Sequence, residues 1–74
     1  MKTEKISITT EYIKLDQLLK FSGMAENGAQ AKEMILEGIV LFNGDVCMIR
    51  GKKVRPGEEV TIEFDDEAYK IVVE

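Results

Sequence analysis

The stretch from Asn27 to Gly44, NGAQAKEMILEGIVLFNG, decides the fold of this chain. Its first half repeats apolar residues every three or four positions, which is typical of one face of a helix. Asn27, with Gln30 three residues later, is a variant of the capping box that starts helices, and Gly38 is suited to a helix end. The stretch therefore predicts a helix over about residues 28–37.

The second half of the stretch changes to a strand pattern. Residues 39–42 are β-branched, aliphatic or aromatic, which favours an extended backbone. Asn43-Gly44 suits a type I′ hairpin turn, because both central residues of that turn need positive φ. We therefore expect a strand over 39–42 and a return strand over Val46–Ile49.

Towards the N-terminus the pattern predicts one strand and one further helix. Residues 5–9 alternate apolar and polar side chains, as a half-buried strand does. A helical stripe of leucines follows within a segment that starts at Ile13, and Gly23 stands where a helix end is expected.

Towards the C-terminus the sequence predicts strands joined by tight turns. Pro56-Gly57 favours a turn, apolar residues alternate at 60, 62 and 64 and again at 69, 71 and 73, and the acidic residues 65–67 separate the two runs. These connections are too short for crossover helices. We expect an α+β fold of two short helices packed on a small, mostly antiparallel sheet, in a single domain over residues 1–74.

The net charge of −4 hides two regions of opposite sign. Residues 14–55 carry seven basic and five acidic side chains, a net +2, whereas residues 56–74 carry one basic and seven acidic side chains, a net −6. Electrostatic fields in physiological salt decay over about 8 Å, so the two regions can face different partners. The acidity belongs to the C-terminal hairpin.

Several function classes are excluded or disfavoured by composition. The chain has no His, which excludes His-based acid–base catalysis and the commonest zinc sites, and its single Cys47 indicates a reducing compartment. No apolar run approaches the ~18 residues of a membrane span. We expect a cytoplasmic, non-enzymatic protein without cofactor, metal site or membrane contact.

Two basic features are candidates for binding phosphate. The segment from Arg50 to Arg55 holds four cations in six residues, although such runs are also common as solvated loops. The helix start at Asn27-Gly28 presents free N–H groups with Lys32 about one turn further on, although a well-capped helix with an exposed lysine would look the same.

The spacing of several motifs resembles the S-four type RNA-binding domain, first known from a small-subunit ribosomal protein. The resemblance covers about residues 14–62 and is carried by Lys14-Leu15-Asp16-x-x-Leu19, then Ala31-Lys32-x-x-Ile35-x-x-Gly38-x-Val40-x-Phe42-Asn43-Gly44, then Val54-x-Pro56-Gly57-Glu58-x-Val60. The string from Gly28 to Lys32 is similar to the small stand-alone members, the YaaA-like or YbcJ-like proteins.

This resemblance implies a two-helix αL motif on a small sheet and a face that contacts structured RNA, ribosomal or transfer RNA being candidates. Two departures remove positive charge from that face: Gly28 stands where the family has Arg, and Leu41 where a basic residue is common. We therefore expect weaker binding, or binding shifted towards the Arg50–Arg55 segment. The expected RNA-binding residues are Lys14, Lys20, Asn27, Gly28, Gln30, Lys32, Arg50, Lys52, Lys53 and Arg55.

Other interpretations remain open at this stage. The acidic hairpin from Glu58 to Glu67 could dock a basic protein partner, or simply be a solvated surface that protects a sheet edge. Phe21 lies off the leucine stripe and is expected in the core or at its edge rather than stacked on a base, and Met24, Met34 and Met48 are expected to fill gaps in the core. A monomer is favoured.

Overall fold

The structure, a computed structural model, describes residues 2–74. The elements in chain order are β1 (Lys2–Ile6), β2 (Ile13–Lys14), α1 (Leu15–Phe21), α2 (Gly28–Leu36), β3 (Val40–Phe42), β4 (Asp45–Val46), β5 (Lys53–Val54), β6 (Glu59–Phe64) and β7 (Glu67–Val73). Within the described residues, no helix has the length and apolar character needed to cross a membrane.

Five of the strands form the main sheet in the order β1-β7-β6-β3-β4. All neighbours in it are antiparallel except β1 and β7, which pair in parallel from Lys2 opposite Tyr69 to Ile6 opposite Val73. β2 and β5 form a separate antiparallel pair. The expected α+β class with a mostly antiparallel sheet is confirmed.

The helices cover one face of this sheet and share a single core with it. α1 contributes its leucine stripe and α2 its apolar stripe, while alternate residues of the strands point towards them, as the two-residue period of a strand requires. The fully buried side chains are Leu15, Leu18, Leu19, Ala31, Ile35, Val40, Val54, Val60, Ile62, Ile71 and Val73.

The predicted turns and caps are found in the structure. Asn43 has φ 50° and Gly44 φ 91°, as a type I′ turn requires, and Gly57 has φ 93°. The Asn27 side chain accepts a hydrogen bond from the Gln30 N–H at 2.9 Å, and the Gln30 side chain accepts one from the Glu26 N–H at 2.7 Å. This exchange starts α2 at Gly28, where the sequence placed it.

Two strand boundaries were predicted wrongly. The first strand is Lys2–Ile6 rather than 5–9: its last residue pair is Ile6 opposite Val73, and beyond it only the Ile8 N–H bonds to the neighbouring segment, at the Glu74 carbonyl. The return strand of the first hairpin is Asp45–Val46 rather than Val46–Ile49. The Cys47 N–H donates to the carbonyl of Val40, which is the first residue of β3, so β3 has no further residue for a longer return strand to pair with.

Two side-chain expectations were also wrong. Phe21 is 68% exposed rather than in the core, because it lies on the side of α1, outside the stripe formed by the leucines. Met48 is 53% exposed, since the strand that would have turned it inward stops at Val46. Met34 is buried, and Met24 and Cys47 are partly buried against the core, as expected.

Candidate nucleic-acid interface

The pair β2–β5 brings two lysines of the candidate set face to face. Lys14 of β2 is directly opposite Lys53 of β5, which places their Cβ atoms about 4.5–5.5 Å apart. Both side chains are exposed, and like charges directly opposite each other destabilise a strand pair. The free protein therefore holds a local excess of positive charge at this point.

Backbone hydrogen bonds attach the rest of the basic segment to the start of α1. The Leu15 N–H donates to the Lys52 carbonyl at 2.9 Å, and the Asp16 N–H donates to the Arg50 carbonyl at 3.1 Å. Arg50, Lys52 and Lys53 are thereby held beside Lys14. We refer to these four residues as the basic cluster.

Aromatic rings support two of the cluster's ammonium groups. Lys52 Nζ lies 4.9 Å from the centroid of the Phe42 ring, and Lys53 Nζ lies 4.9 Å from that of Tyr12. A cation over a ring face is attracted by the ring quadrupole without losing its charge. These contacts hold the two ammonium groups at defined positions beside the rings.

No carboxylate forms an ion pair with the cluster among residues 2–74, where the ion pairs are Lys5–Glu74 and Lys70–Glu59. The Asp16 backbone N–H is bonded to the Arg50 carbonyl, but the Asp16 carboxylate accepts a hydrogen bond from the Gln17 N–H at 2.8 Å. The positive charge of the cluster is thus left for an external anion.

The remaining candidate residues are distributed around the cluster. Arg55 follows β5 directly and is exposed, with its backbone N–H bonded to the Glu58 carboxylate at 2.7 Å. Lys20 is exposed on the last turn of α1. In the described chain, no strand pairing or hydrogen bond connects Asn27, Gly28 or Lys32 of the α2 region to the cluster, and α2 packs against α1.

The N-terminal region of α2 keeps an open surface. Gly28 is exposed, and a Cβ built on it would meet no atom within 4 Å. Asn27 and Gln30 use their side chains for the helix cap, so their direct role is structural. Lys32 is exposed on the same helix, next to the buried Ala31.

The acidic side chains lie at the opposite end of the main sheet. The Glu63 N–H donates to the Ile39 carbonyl, and the turn at Asp65 and Asp66 follows directly. β6 spans roughly 17 Å from Glu59 to Phe64, more than twice the distance over which salt screens charge. The basic cluster and the acidic turn therefore act as separate electrostatic surfaces.

Three carboxylates near the basic end of the sheet are engaged within the chain, whereas the carboxylate of the exposed Asp45, which lines a hollow with Lys52, has no bonded partner in the described residues. Glu58 accepts from the Arg55 N–H and from the Asn43 side chain, Glu59 pairs with Lys70 at 3.4 Å, and Glu74 pairs with Lys5 at 3.9 Å. The exposed acids at the far end have no such partner in the described part of the chain: Glu63, Asp65, Asp66 and Glu67.

Two further observations on the described residues concern metal binding and the pKa of a tyrosine. No group of three or more His, Cys, Asp or Glu side chains within residues 2–74 is arranged to hold a metal ion. The Tyr69 hydroxyl donates a hydrogen bond to Glu4, and this bond to a carboxylate, with some burial, raises the pKa of Tyr69 above its usual 10.0. That contact ties β7 to β1 and lies outside the candidate site.

Sequence reasoning missed several residues that surround the cluster. Tyr12 and Phe42 support the lysines, and Ile13, Gln17 and Phe21 line a shallow hollow together with Lys20, which the sequence did predict. Tyr12 could have been found from the extended Tyr12-Ile13-Lys14 run before α1. The contact between Phe42 and Lys52 joins two strand-end segments ten residues apart, and nothing local indicates it.

Comparison with known proteins agrees with this geometry. Residues 6–72 match the S4 domain, and the chain belongs to the S4 domain family. The chain is 41% identical over 58 residues to the probable ribosome maturation protein RlbA of Bacillus subtilis, an alignment that covers 78% of this chain and 82% of that protein. The expected resemblance to the S-four type domain is confirmed.

Two solved structures share the fold. The solution structure of YbcJ from E. coli, described as revealing an αL motif involved in RNA binding, is 33% identical with a TM-score of 0.60, over 97% of this chain and 87% of YbcJ. Trimeric heat shock protein 15 of Vibrio cholerae is 25% identical with a TM-score of 0.73, over 86% of this chain. This chain spans 64% of that protein's length.

Proposed function

We propose that this protein binds structured RNA, without catalysis, through the basic cluster of Lys14, Arg50, Lys52 and Lys53. The pairing of Lys14 opposite Lys53 carries the proposal, because it concentrates like charge that no carboxylate in residues 2–74 neutralises. RNA phosphates supply the missing negative charge. The match to YbcJ, which is described as having an RNA-binding motif, supports the same function.

The rigidity of the cluster favours RNA that is recognised by shape. The backbones of Lys14 and Lys53 are fixed by strand pairing, and those of Arg50 and Lys52 by hydrogen bonds to α1. Cations held at fixed spacing suit phosphates of a folded backbone better than those of a flexible strand. All four residues come from one chain, so this site needs no second copy of the protein.

Ribosomal RNA is the RNA that we propose first. The name of the Bacillus subtilis relative, a probable ribosome maturation protein, supports this assignment over transfer RNA. Sequencing of RNA crosslinked to the protein in cells tests it, and enrichment of ribosomal RNA segments is expected. Enrichment of transfer RNA instead would reject the ribosomal assignment and keep RNA binding.

A charge-matched pair of variants tests the binding surface. Replacing Lys14, Lys52 and Lys53 by Ala should weaken binding to a fluorescent RNA hairpin and flatten the slope of log K against log salt, by roughly 0.7–0.9 for each lost phosphate contact. The control replaces Lys2, Lys5 and Lys70, which lie outside the cluster, with the same change in net charge. Equal effects of the two triple variants would show that the cluster is not the binding surface.

A single substitution tests whether Lys32 of α2 contacts the RNA. Lys32 is exposed but has no direct connection to the cluster in the described structure, so we propose it as a peripheral contact together with Lys20 and Arg55. Replacing Lys32 alone by Ala should change the salt slope by no more than one contact's worth. No change at all would confine the interface to α1 and the basic segment.

The alternative, a protein partner on the acidic hairpin, has less support. Of its carboxylates, Glu58 and Glu59 already bond within the chain, which leaves the exposed acids at the Asp65-Asp66 turn. Reversing Glu63, Asp66 and Glu67 to Lys should leave RNA affinity intact or raise it, because repulsion falls. Loss of a co-purifying protein on this reversal, in a chain that binds no RNA, would favour the alternative.

A further inference from the structure

The most exposed aromatic side chain of the described residues stands beside the basic cluster. Phe21 is 68% exposed, whereas the other face of α1 buries Leu15, Leu18 and Leu19 completely. The core therefore does not need Phe21. Apolar surface is more favourable buried than in water, so a partner that covers the ring gains free energy.

Phe21 is part of a small hollow with mixed chemistry. Ile13, Gln17, Lys20 and Phe21 line a space of about 290 Å³. Gln17, Lys20 and Phe21 share one helix face, because they are three and four residues apart. The hollow therefore combines an aromatic ring, an aliphatic wall, an amide that both donates and accepts hydrogen bonds, and an ammonium group.

The hollow adjoins the basic cluster through β2 and its partner strand. Ile13 precedes Lys14 in β2 and is paired with Val54, the neighbour of Lys53. α1 rises about 1.5 Å per residue, so Phe21 lies roughly 10 Å along the axis from Lys14. An RNA strand whose phosphates contact Lys14 and Lys53 has its next nucleotides within reach of the hollow.

We infer that this hollow binds one unpaired nucleobase, stacked on Phe21, with the Gln17 amide at the base edge and Lys20 at the adjoining phosphate. The inference rests on the proposed RNA binding and adds the class of RNA: a helix that carries an unpaired nucleotide, rather than a continuous duplex. Side chains read RNA bases mainly where they are unpaired, since the major groove of an RNA duplex is too deep and narrow to enter.

The experiment compares two RNA duplexes that differ by one nucleotide. One is fully paired, and the other carries a single bulged 2-aminopurine, whose fluorescence falls when it stacks on an aromatic ring. The unmodified protein should bind the bulged RNA about tenfold more tightly, as expected for one base stacked on one ring, and quench the probe. Phe21→Ala should abolish both differences, and Phe21→Tyr should retain them.

Controls separate this inference from RNA binding in general. Phe21→Ala should leave duplex affinity and the salt slope unchanged, because stacking releases no counterions. Ile49→Ala removes another side chain that is 65% exposed and should change nothing. Since Phe21 is exposed, thermal unfolding of Phe21→Ala should match that of the parent.

The outcomes distinguish the two proposals. If the unmodified protein binds both RNAs alike and Phe21→Ala changes neither affinity, base stacking is overturned while RNA binding by the cluster stands. If the unmodified protein binds neither RNA at low salt, both proposals fail. Equal loss of affinity for the two RNAs in Phe21→Ala would also overturn the stacking role.

Discussion

Asn43 and Glu58, fifteen residues apart, are hydrogen-bonded to each other and so connect the Asn43-Gly44 turn to the Pro56-Gly57 turn. The Asn43 amide donates to the Glu58 carboxylate at 3.4 Å and accepts from the Glu59 N–H at 3.0 Å, while Glu58 also accepts from the Arg55 N–H at 2.7 Å. The hairpin turn and the Pro56-Gly57 turn are thereby joined. The basic segment is anchored at its C-terminal end by the same carboxylate.

Removing that carboxylate should lower stability. Glu58→Ala leaves the Arg55 N–H and the Asn43 amide without their partner, and we expect a loss of about 1–2 kcal/mol in the free energy of unfolding. Urea unfolding followed by circular dichroism measures the change. Glu63→Ala, at an exposed carboxylate with no side-chain hydrogen bond, serves as control and should stay within ~0.5 kcal/mol of the parent.

Charge reversal at Lys14 should affect stability and function in opposite directions. Lys14→Glu replaces a like-charge pair with an opposite-charge pair facing Lys53 and leaves the contact of Lys53 with Tyr12 in place, which should raise the free energy of unfolding by about 0.2–1 kcal/mol. RNA affinity should fall, because a phosphate contact becomes a repulsion. Unfolding and binding are measured on one preparation; a variant both less stable and equally tight in binding would contradict the assignment of this pair.

The α2 start offers a gain-of-function test. Gly28→Arg restores the basic residue that the family pattern has at this position, and the open space around Gly28 admits a side chain. If the helix start contacts RNA, the salt slope should steepen by roughly 0.7–0.9. Gly28→Ala controls for the loss of glycine flexibility. An unchanged slope for the Arg variant would place α2 outside the interface.

The turn glycine at position 44 should be far less tolerant than Gly28. Gly44 has φ 91°, where a side chain collides with the backbone, so Gly44→Ala should cost roughly 1–2 kcal/mol in stability. Gly28→Ala, in a helix without steric conflict, should be neutral or stabilising by up to ~1 kcal/mol. Thermal unfolding of the two variants side by side tests this contrast.

The Tyr69–Glu4 bond predicts a stability change at alkaline pH. The pKa of Tyr69 is raised in the folded protein, so its contribution is fully present below the ordinary pKa of 10.0 and is lost as pH rises through the raised value. Tyr69→Phe lacks this contribution. The stability difference between parent and variant should therefore be constant between pH 7 and 9 and shrink above about pH 10; a difference that grows there would contradict the bond.

Local signals in the sequence predicted most of the elements correctly. The Asn27–Gln30 cap, the Asn43-Gly44 turn and the Pro56-Gly57 turn depend on neighbouring residues, and each is found where expected. Pairings between distant segments were not predicted. The parallel pairing of β1 with β7 and the β2–β5 pair join residues about forty to seventy positions apart, and no local periodicity encodes which strands meet.

The sequence predicted which residues form the candidate site, but it did not predict how they are arranged in space. The basic residues from Lys14 to Arg55 could be named from the sequence, but the meeting of Lys14 with Lys53 depends on the β2–β5 pairing. The exposure of Phe21 was missed because an apolar residue in a helix is usually buried. A seven-residue helix buries one narrow stripe, and Phe21 lies outside it.

The separation of charge along the main sheet gives this acidic molecule an electric dipole. A polyanion repels the protein's net charge of −4 at long range but, at close range, turns its cationic end inward and its Asp65-Asp66 turn outward. When the protein approaches a polyanion in other orientations, the two molecules repel each other before contact. The dipole thus selects one approach geometry, and it discourages several copies from crowding along the same backbone, since neighbouring bound copies have parallel dipoles whose like ends lie side by side and repel each other.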